Sequence, residues 1–250
     1  MSHVDNASHP RASEPADDEL AHDDSAPPRI LRILQLLGIV RLLRLLGIVR
    51  LVRFLRRRSA GRIGWRTVDI VVASVLGVAF GLLFAAWNNF IYPTVSLPLE
   101  ATPFSPVIGS IWLMPAVIGG LVIRKAGAAV YTEVVAATTS MLFGSVWGLS
   151  VFMSGVWQGL GAELVFAALA YRRWGVAGSL LAGAGAGLAM GVNQSIVSVP
   201  EYSADWKIAY VLAAVVAGIA AGVLGWLLVR ALARTGVLAP FAAGRAQQEV

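Results

Sequence analysis

The chain has 250 residues, 57% of them hydrophobic and 14% charged, with a formal net charge of +6 and a mean hydropathy of +0.72. Soluble domains carry about 25% charged residues, so this composition describes an integral membrane protein. There is no Cys, which excludes disulfides and thiolate metal sites, and the three His (His3, His9 and His22) all precede the apolar region. No GxxxxGK[ST], HExxH or GxSxG pattern occurs, so neither P-loop nucleotide binding nor those routes to hydrolysis are open to the chain.

The charge lies in blocks. Residues 1–28 hold seven acids and one Arg. They offer too little apolar surface to offset chain entropy and are expected to form a disordered acidic tail. Residues 29–66 hold eleven Arg and no acid. Here LLGIVRLLR (Leu36–Arg44) recurs as LLGIVRLVR (Leu45–Arg53), and Arg41, Arg44, Arg50, Arg53 and Arg56 fall on a period of three. A voltage-sensing helix shows that period, and so does a basic helix lying on an anionic leaflet. A sensor needs acidic partners within its own helical domain, so a basic helical segment on the inner membrane surface is expected.

From Val68 onward the apolar pattern predicts six spans, at about 68–92, 107–123, 126–146, 150–171, 175–199 and 207–230. Residues 67–250 are therefore read as an all-α membrane domain, a bundle of six transmembrane helices. Arg62 and Arg66 precede the first span; Arg124 and Lys125 follow the second; Arg172 and Arg173 follow the fourth; Arg230 and Arg234 end the sixth. The opposite loops hold Glu100, then no charge, then Glu201, Asp205 and Lys207. By the positive-inside rule both termini are expected to be cytoplasmic, in a multi-pass protein of the cell membrane. The first outer loop, Pro93–Pro106, contains Pro93, Pro98, Pro103 and Pro106 and is read as a stiff extended cover.

Ala73, Gly77, Gly81 and Ala85 recur every four residues on the first span. Such a stripe lets a second helix approach closely. Read alone, it packs against this chain's own helices. The fifth span, GVAGSLLAGAGAGLAMG, is richer still in small residues and is expected to be central.

Polar groups within spans mark candidate sites, because each is costly in a bilayer. Counting about 1.5 Å per residue, Gln158, Asn193 and Gln194 fall in the outer half, on the side of Trp87, Asn88, Asn89, Trp112, Trp147 and Trp157. Indoles and amides together suit a small, flat, polar aromatic ligand, the rings stacking and the amides matching its edge. An interfacial belt of Trp and amide bonding between helices would look the same from sequence. The same count puts Glu133 and Glu163 in one layer of the inner half, roughly 10–12 Å from the inner surface, as ligand contacts or a structural pair.

IRKAGAAVYTE (Ile123–Glu133), QGLGAELVF (Gln158–Phe166) and ARTGVL (Ala233–Leu238) resemble motifs of the substrate-binding S components of energy-coupling-factor vitamin importers, in the YkoE-like hydroxymethylpyrimidine and thiamin-precursor group. The resemblance covers about residues 66–240; where the family pattern has Pro in IRKPGAA, this chain has Ala126. It implies a six-helix protein that captures a vitamin from outside. It also implies a transmembrane coupling subunit and two cytoplasmic ATPases as partners. The Ala73–Gly77–Gly81–Ala85 stripe is then expected to meet the coupling subunit. No covalent reaction, cofactor, metal or nucleic acid is expected. A rival reading from another class is a stand-alone proton-coupled transporter using Glu133 and Glu163 as its relay.

Overall fold

The computed structural model describes residues 64–241, 243 and 244, so the tail expected over 1–28 and nearly all of the basic segment expected over 29–66 lie outside the described residues. Helix α1 (Thr67–Ala86) begins after Arg66, whose backbone N–H donates to the Asp69 carboxylate at 2.8 Å. An acid in the first turn is where the helix dipole favours it. α1 continues through a π-helical turn, Trp87–Ile91, into the short α2, Tyr92–Val95. The π turn changes the phase of the helix face. Asn88 becomes 2% exposed while Phe90, two residues on, is 79% exposed.

The Pro-rich segment corrects an expectation. It is not an extended cover but a run of short helical turns at Tyr92–Val95, Leu97–Leu99 and Ser105–Gly109, each with Pro at its first or second position. Proline's fixed φ suits a first helical turn, where its missing N–H has no intrahelical partner to lose.

The remaining helices are α3 (Ser110–Ile123), α4 (Ala128–Leu142), α5 (Leu149–Ala168), α6 (Val176–Val197) and α7 (Ala204–Arg234). Among the described residues, five stretches are long and apolar enough to cross a membrane: Thr67–Val95, Ser105–Ile123, α5, α6 and α7. α4 differs from the span expected over 126–146. It has 15 residues, about 22 Å at the helical rise, against a hydrocarbon core of about 30 Å. It stops at Leu142 because Gly144 (φ 82°) turns the chain through left-handed backbone, and Gly148 (φ 52°) is the N-cap from which α5 starts.

α4 is held on three sides by glycine. Gly77 and Gly81 of α1 face Val135 and Thr139; Gly119 of α3 faces Thr132; Gly155 and Gly159 of α5 face Ala137 and Val130. A Cβ placed on Gly77 would lie 2.6 Å from Val135 Cβ. This corrects the docking expectation. Ala73, Gly77 and Gly81 are buried, Ala85 is half-buried, and α4 fills the groove they form. A small-residue stripe shows that some helix comes close, not which one. α6 and α7 meet in the same way, with Gly183 against Gly218 and Gly187 against Ala214, and Ser179 Oγ donating to Gly222 O at 2.7 Å.

Candidate ligand-binding site

Pro115 lies inside α3. Proline has no N–H to donate, and its ring pushes against the carbonyl four residues earlier, so the helix opens locally. Side chains from two other helices meet the backbone there. Glu133 Oε2 accepts from Ala116 N–H at 2.8 Å. The Gln158 amide, oriented so that its donors meet acceptors, gives Trp112 O at 3.0 Å and Glu133 Oε1 at 3.2 Å, and its oxygen accepts from Ser154 Oγ at 2.8 Å. Glu133 is fully buried and Gln158 is 4% exposed. Among the described residues no cation pairs with Glu133.

Three rings line the same cavity. Tyr92 and Trp112 have centroids 5.0 Å apart, Tyr92 and Trp147 5.3 Å, and Trp112 and Trp147 5.7 Å, the last two pairs edge to face. Trp112 Nε1 donates to Asn88 Oδ1 at 2.8 Å, so the π turn that buries Asn88 also fixes the indole. On the far wall Tyr210 Oη donates to Gln194 Oε1 at 2.9 Å.

These groups surround a cavity of about 380 Å³, within the usual range for small-molecule sites. Of the residues singled out by sequence, Asn88, Trp112, Glu133, Trp157, Gln158, Asn193 and Gln194 line it. Trp157 does so from a half-exposed position. Trp87 and Glu163 do not line it. Sequence reasoning did not place Tyr92, Ser154 or Tyr210 in the site, although all three line it, as does Trp147, which it put among the outer-half indoles. Their signal is faint: aromatic and hydroxyl residues at span ends read as an interfacial belt.

Glu163 has a different task. Its carboxylate accepts from Gly127 N–H at 2.7 Å, Ala129 N–H at 3.0 Å and Tyr171 Oη–H at 2.6 Å. It therefore sits at the N-terminus of α4, where unpaired N–H groups and the helix dipole favour an anion. The single layer expected for Glu133 and Glu163 is corrected by the α4–α5 register. Gly155 lies at Ala137 and Gly159 at Val130, so Glu133 is level with Gln158 and Glu163 with Gly127, about 8 Å apart along the bundle. No hydrogen bond joins the two carboxylates among the described residues.

The turn that Glu163 caps is tied to α1 as well. Lys125 Nζ reaches Asp69 Oδ2 at 2.6 Å, Arg66 reaches Asp69 Oδ1 at 2.9 Å, and Trp65 Nε1 donates to Ala126 O at 2.9 Å. Asp69 is 1% exposed. IRKAG and QGLGAE are thus two halves of one contact.

Residues 68–189 match the family described as ABC-type cobalt transport system, permease component. A relative from Bacillus subtilis (strain 168), whose name gives it as HMP/thiamine permease protein YkoE, is 32% identical over 183 residues, covering 72% of this chain and 91% of its own length. A crystal structure of an S-component of an ECF transporter superposes with a TM-score of 0.68 at 31% identity, covering 74% of this chain and 94% of that one. A helical membrane bundle enclosing one polar and aromatic cavity, with these relatives, is a transporter component of the S-component class rather than an enzyme, and a multi-pass protein of the cell membrane. The chain belongs to the YkoE family of ECF S components.

Proposed function

We propose that this chain captures thiamin, hydroxymethylpyrimidine or a related precursor from outside the cell and delivers it to an ATP-driven importer. The observation that carries the reading is a cavity lined both by an aromatic cluster and by amide and carboxyl groups. An aminopyrimidine is flat, and its edge alternates donors and acceptors. Glu133 Oε1 accepts from the exocyclic amine, the amides of Asn193 and Gln194 serve the ring nitrogens, and Tyr92, Trp112 and Trp147 supply aromatic surface. The name of the Bacillus relative supports the same ligand class.

Six spans with both termini cytoplasmic belong to this proposal, with the short α4 counted as the third. The alternation of Arg and Lys between loops supports that orientation and turns the cavity mouth outward. Energy comes from a transmembrane coupling subunit and two cytoplasmic ATPases, since no nucleotide motif lies in this chain.

The test is uptake of labelled thiamin and of labelled hydroxymethylpyrimidine by cells making this chain with and without a coupling module. Uptake that needs the module and stops on ATP depletion supports the reading. Uptake by the chain alone that collapses with a protonophore overturns it.

A further inference from the structure

We propose that this cavity selects its vitamin by charge: it takes the cationic, unphosphorylated form and turns away phosphate esters. The inference rests on the vitamin reading above and goes beyond it. Among the described residues, the cavity wall carries one acidic side chain, Glu133, and no Lys, Arg or His. Phosphate sites are built from Arg or Lys forks or from exposed helix N-termini. Here the α4 N-terminus is closed by Glu163, outside the cavity.

The approach to the cavity has the same sign. At its end of the bundle the loops carry Glu100 and Glu201, and the first turn of α7 carries Asp205 against Lys207, whose ammonium donates to Pro200 O at 2.8 Å. An acidic rim over a low-dielectric cleft concentrates cations and repels anions. Inside, Tyr92, Trp112 and Trp147 form a mutually tilted cluster. Ring faces attract a cation, and more strongly where water is excluded. A buried carboxylate with no protein cation beside it completes a site that lacks only positive charge. The thiazolium of thiamin supplies that charge, and a phosphate on its hydroxyethyl arm cancels it.

The experiment is calorimetric titration of the full chain in detergent with five probes: thiamin, its monophosphate, its acetyl ester, the uncharged ring-closed product thiochrome, and hydroxymethylpyrimidine. Thiamin and the acetyl ester are expected to bind within a few-fold of each other, and the monophosphate and thiochrome at least about tenfold more weakly. In Glu133→Gln, which keeps an acceptor for Ala116 N–H, the gap between thiamin and its monophosphate is expected to narrow. Equal binding of thiamin and its monophosphate overturns charge selection and leaves the vitamin reading standing. So does exclusion of the acetyl ester along with the monophosphate, which makes the filter one of size; that arm uses the unmutated chain and does not depend on a variant folding. Binding of hydroxymethylpyrimidine without thiamin also overturns the charge inference alone. Failure of all five probes to bind overturns the vitamin reading and this inference together.

Discussion

Glu133 on α4 accepts a hydrogen bond at 2.8 Å from the backbone N–H of Ala116, the residue after the proline of α3. The carboxylate is therefore both part of the cavity wall and the clasp on a helix that Pro115 has opened. Glu133→Ala leaves Ala116 N–H without that acceptor and the Gln158 amide without one of its two. Stability is expected to fall by about 1–3 kcal/mol, whereas Glu133→Gln, which can still accept from Ala116, is expected to fall by less. Thermal unfolding of both variants in one detergent checks the order.

Glu163 is expected to separate stability from binding. Glu163→Ala removes the group closing the α4 N-terminus, a loss of about 1–2 kcal/mol on the scale of helix caps. It lies outside the cavity, so ligand affinity is expected to stay within about twofold, less than about 0.4 kcal/mol. A large loss of affinity in a folded Glu163→Ala protein would restore it as a ligand or relay residue.

The α1 stripe gives a prediction opposite in sign to the one its sequence suggests. Gly77→Leu and Gly81→Leu drive side chains into Val135 and Thr139. Overpacking of this kind costs about 1–3 kcal/mol per site, and two adjacent sites on one groove compound it. Low yield of monodisperse protein and a lowered melting temperature are expected. A double variant that is stable, binds ligand and loses only its coupling subunit would return the stripe to a partner.

Trp87→Phe is expected to be neutral or slightly stabilising. The Trp87 indole nitrogen is buried and has no hydrogen-bond partner among the described residues, and the residue does not line the cavity. Removing an unsatisfied donor while keeping an aromatic ring relieves a desolvation cost. Unchanged affinity together with an unchanged or raised melting temperature is the expected pair of readings.

How much of this could be read from sequence depends on what each residue's cost reveals. Asn88, Gln158, Asn193 and Gln194 were legible because an amide in an apolar span needs a reason to be there. Glu133 and Glu163 were equally visible, but their roles were not. A carboxylate facing a ligand and one closing a helix N-terminus leave the same letter in the same kind of span. Counting residues from the span ends placed both at one depth, because the count knew nothing of the register that Gly155 and Gly159 set against α4. Apolar composition carried the third span past Leu142, since Phe143, Val146 and Trp147 are themselves apolar. Gly144 ends the helix there, Gly148 starts the next, and Trp147 between them lines the cavity. Tyr92 and Tyr210 were hidden because aromatic rings near span ends are common in any membrane protein.

The central claim is that the cavity between Glu133 and the Tyr92–Trp112–Trp147 cluster holds the vitamin. Trp147→Ala tests it most directly, because Trp147 lines the cavity yet is 38% exposed, so its loss disturbs the fold less than loss of the more buried Tyr92 or Trp112. Calorimetric titration of thiamin and hydroxymethylpyrimidine into the wild type and this variant is the measurement, with Trp226→Phe as the control outside the cavity. The expected result is single-site binding weakened about tenfold or more by Trp147→Ala, at an unchanged melting temperature, with the control unaffected. Wild-type affinity in a well-folded Trp147→Ala protein would contradict the claim.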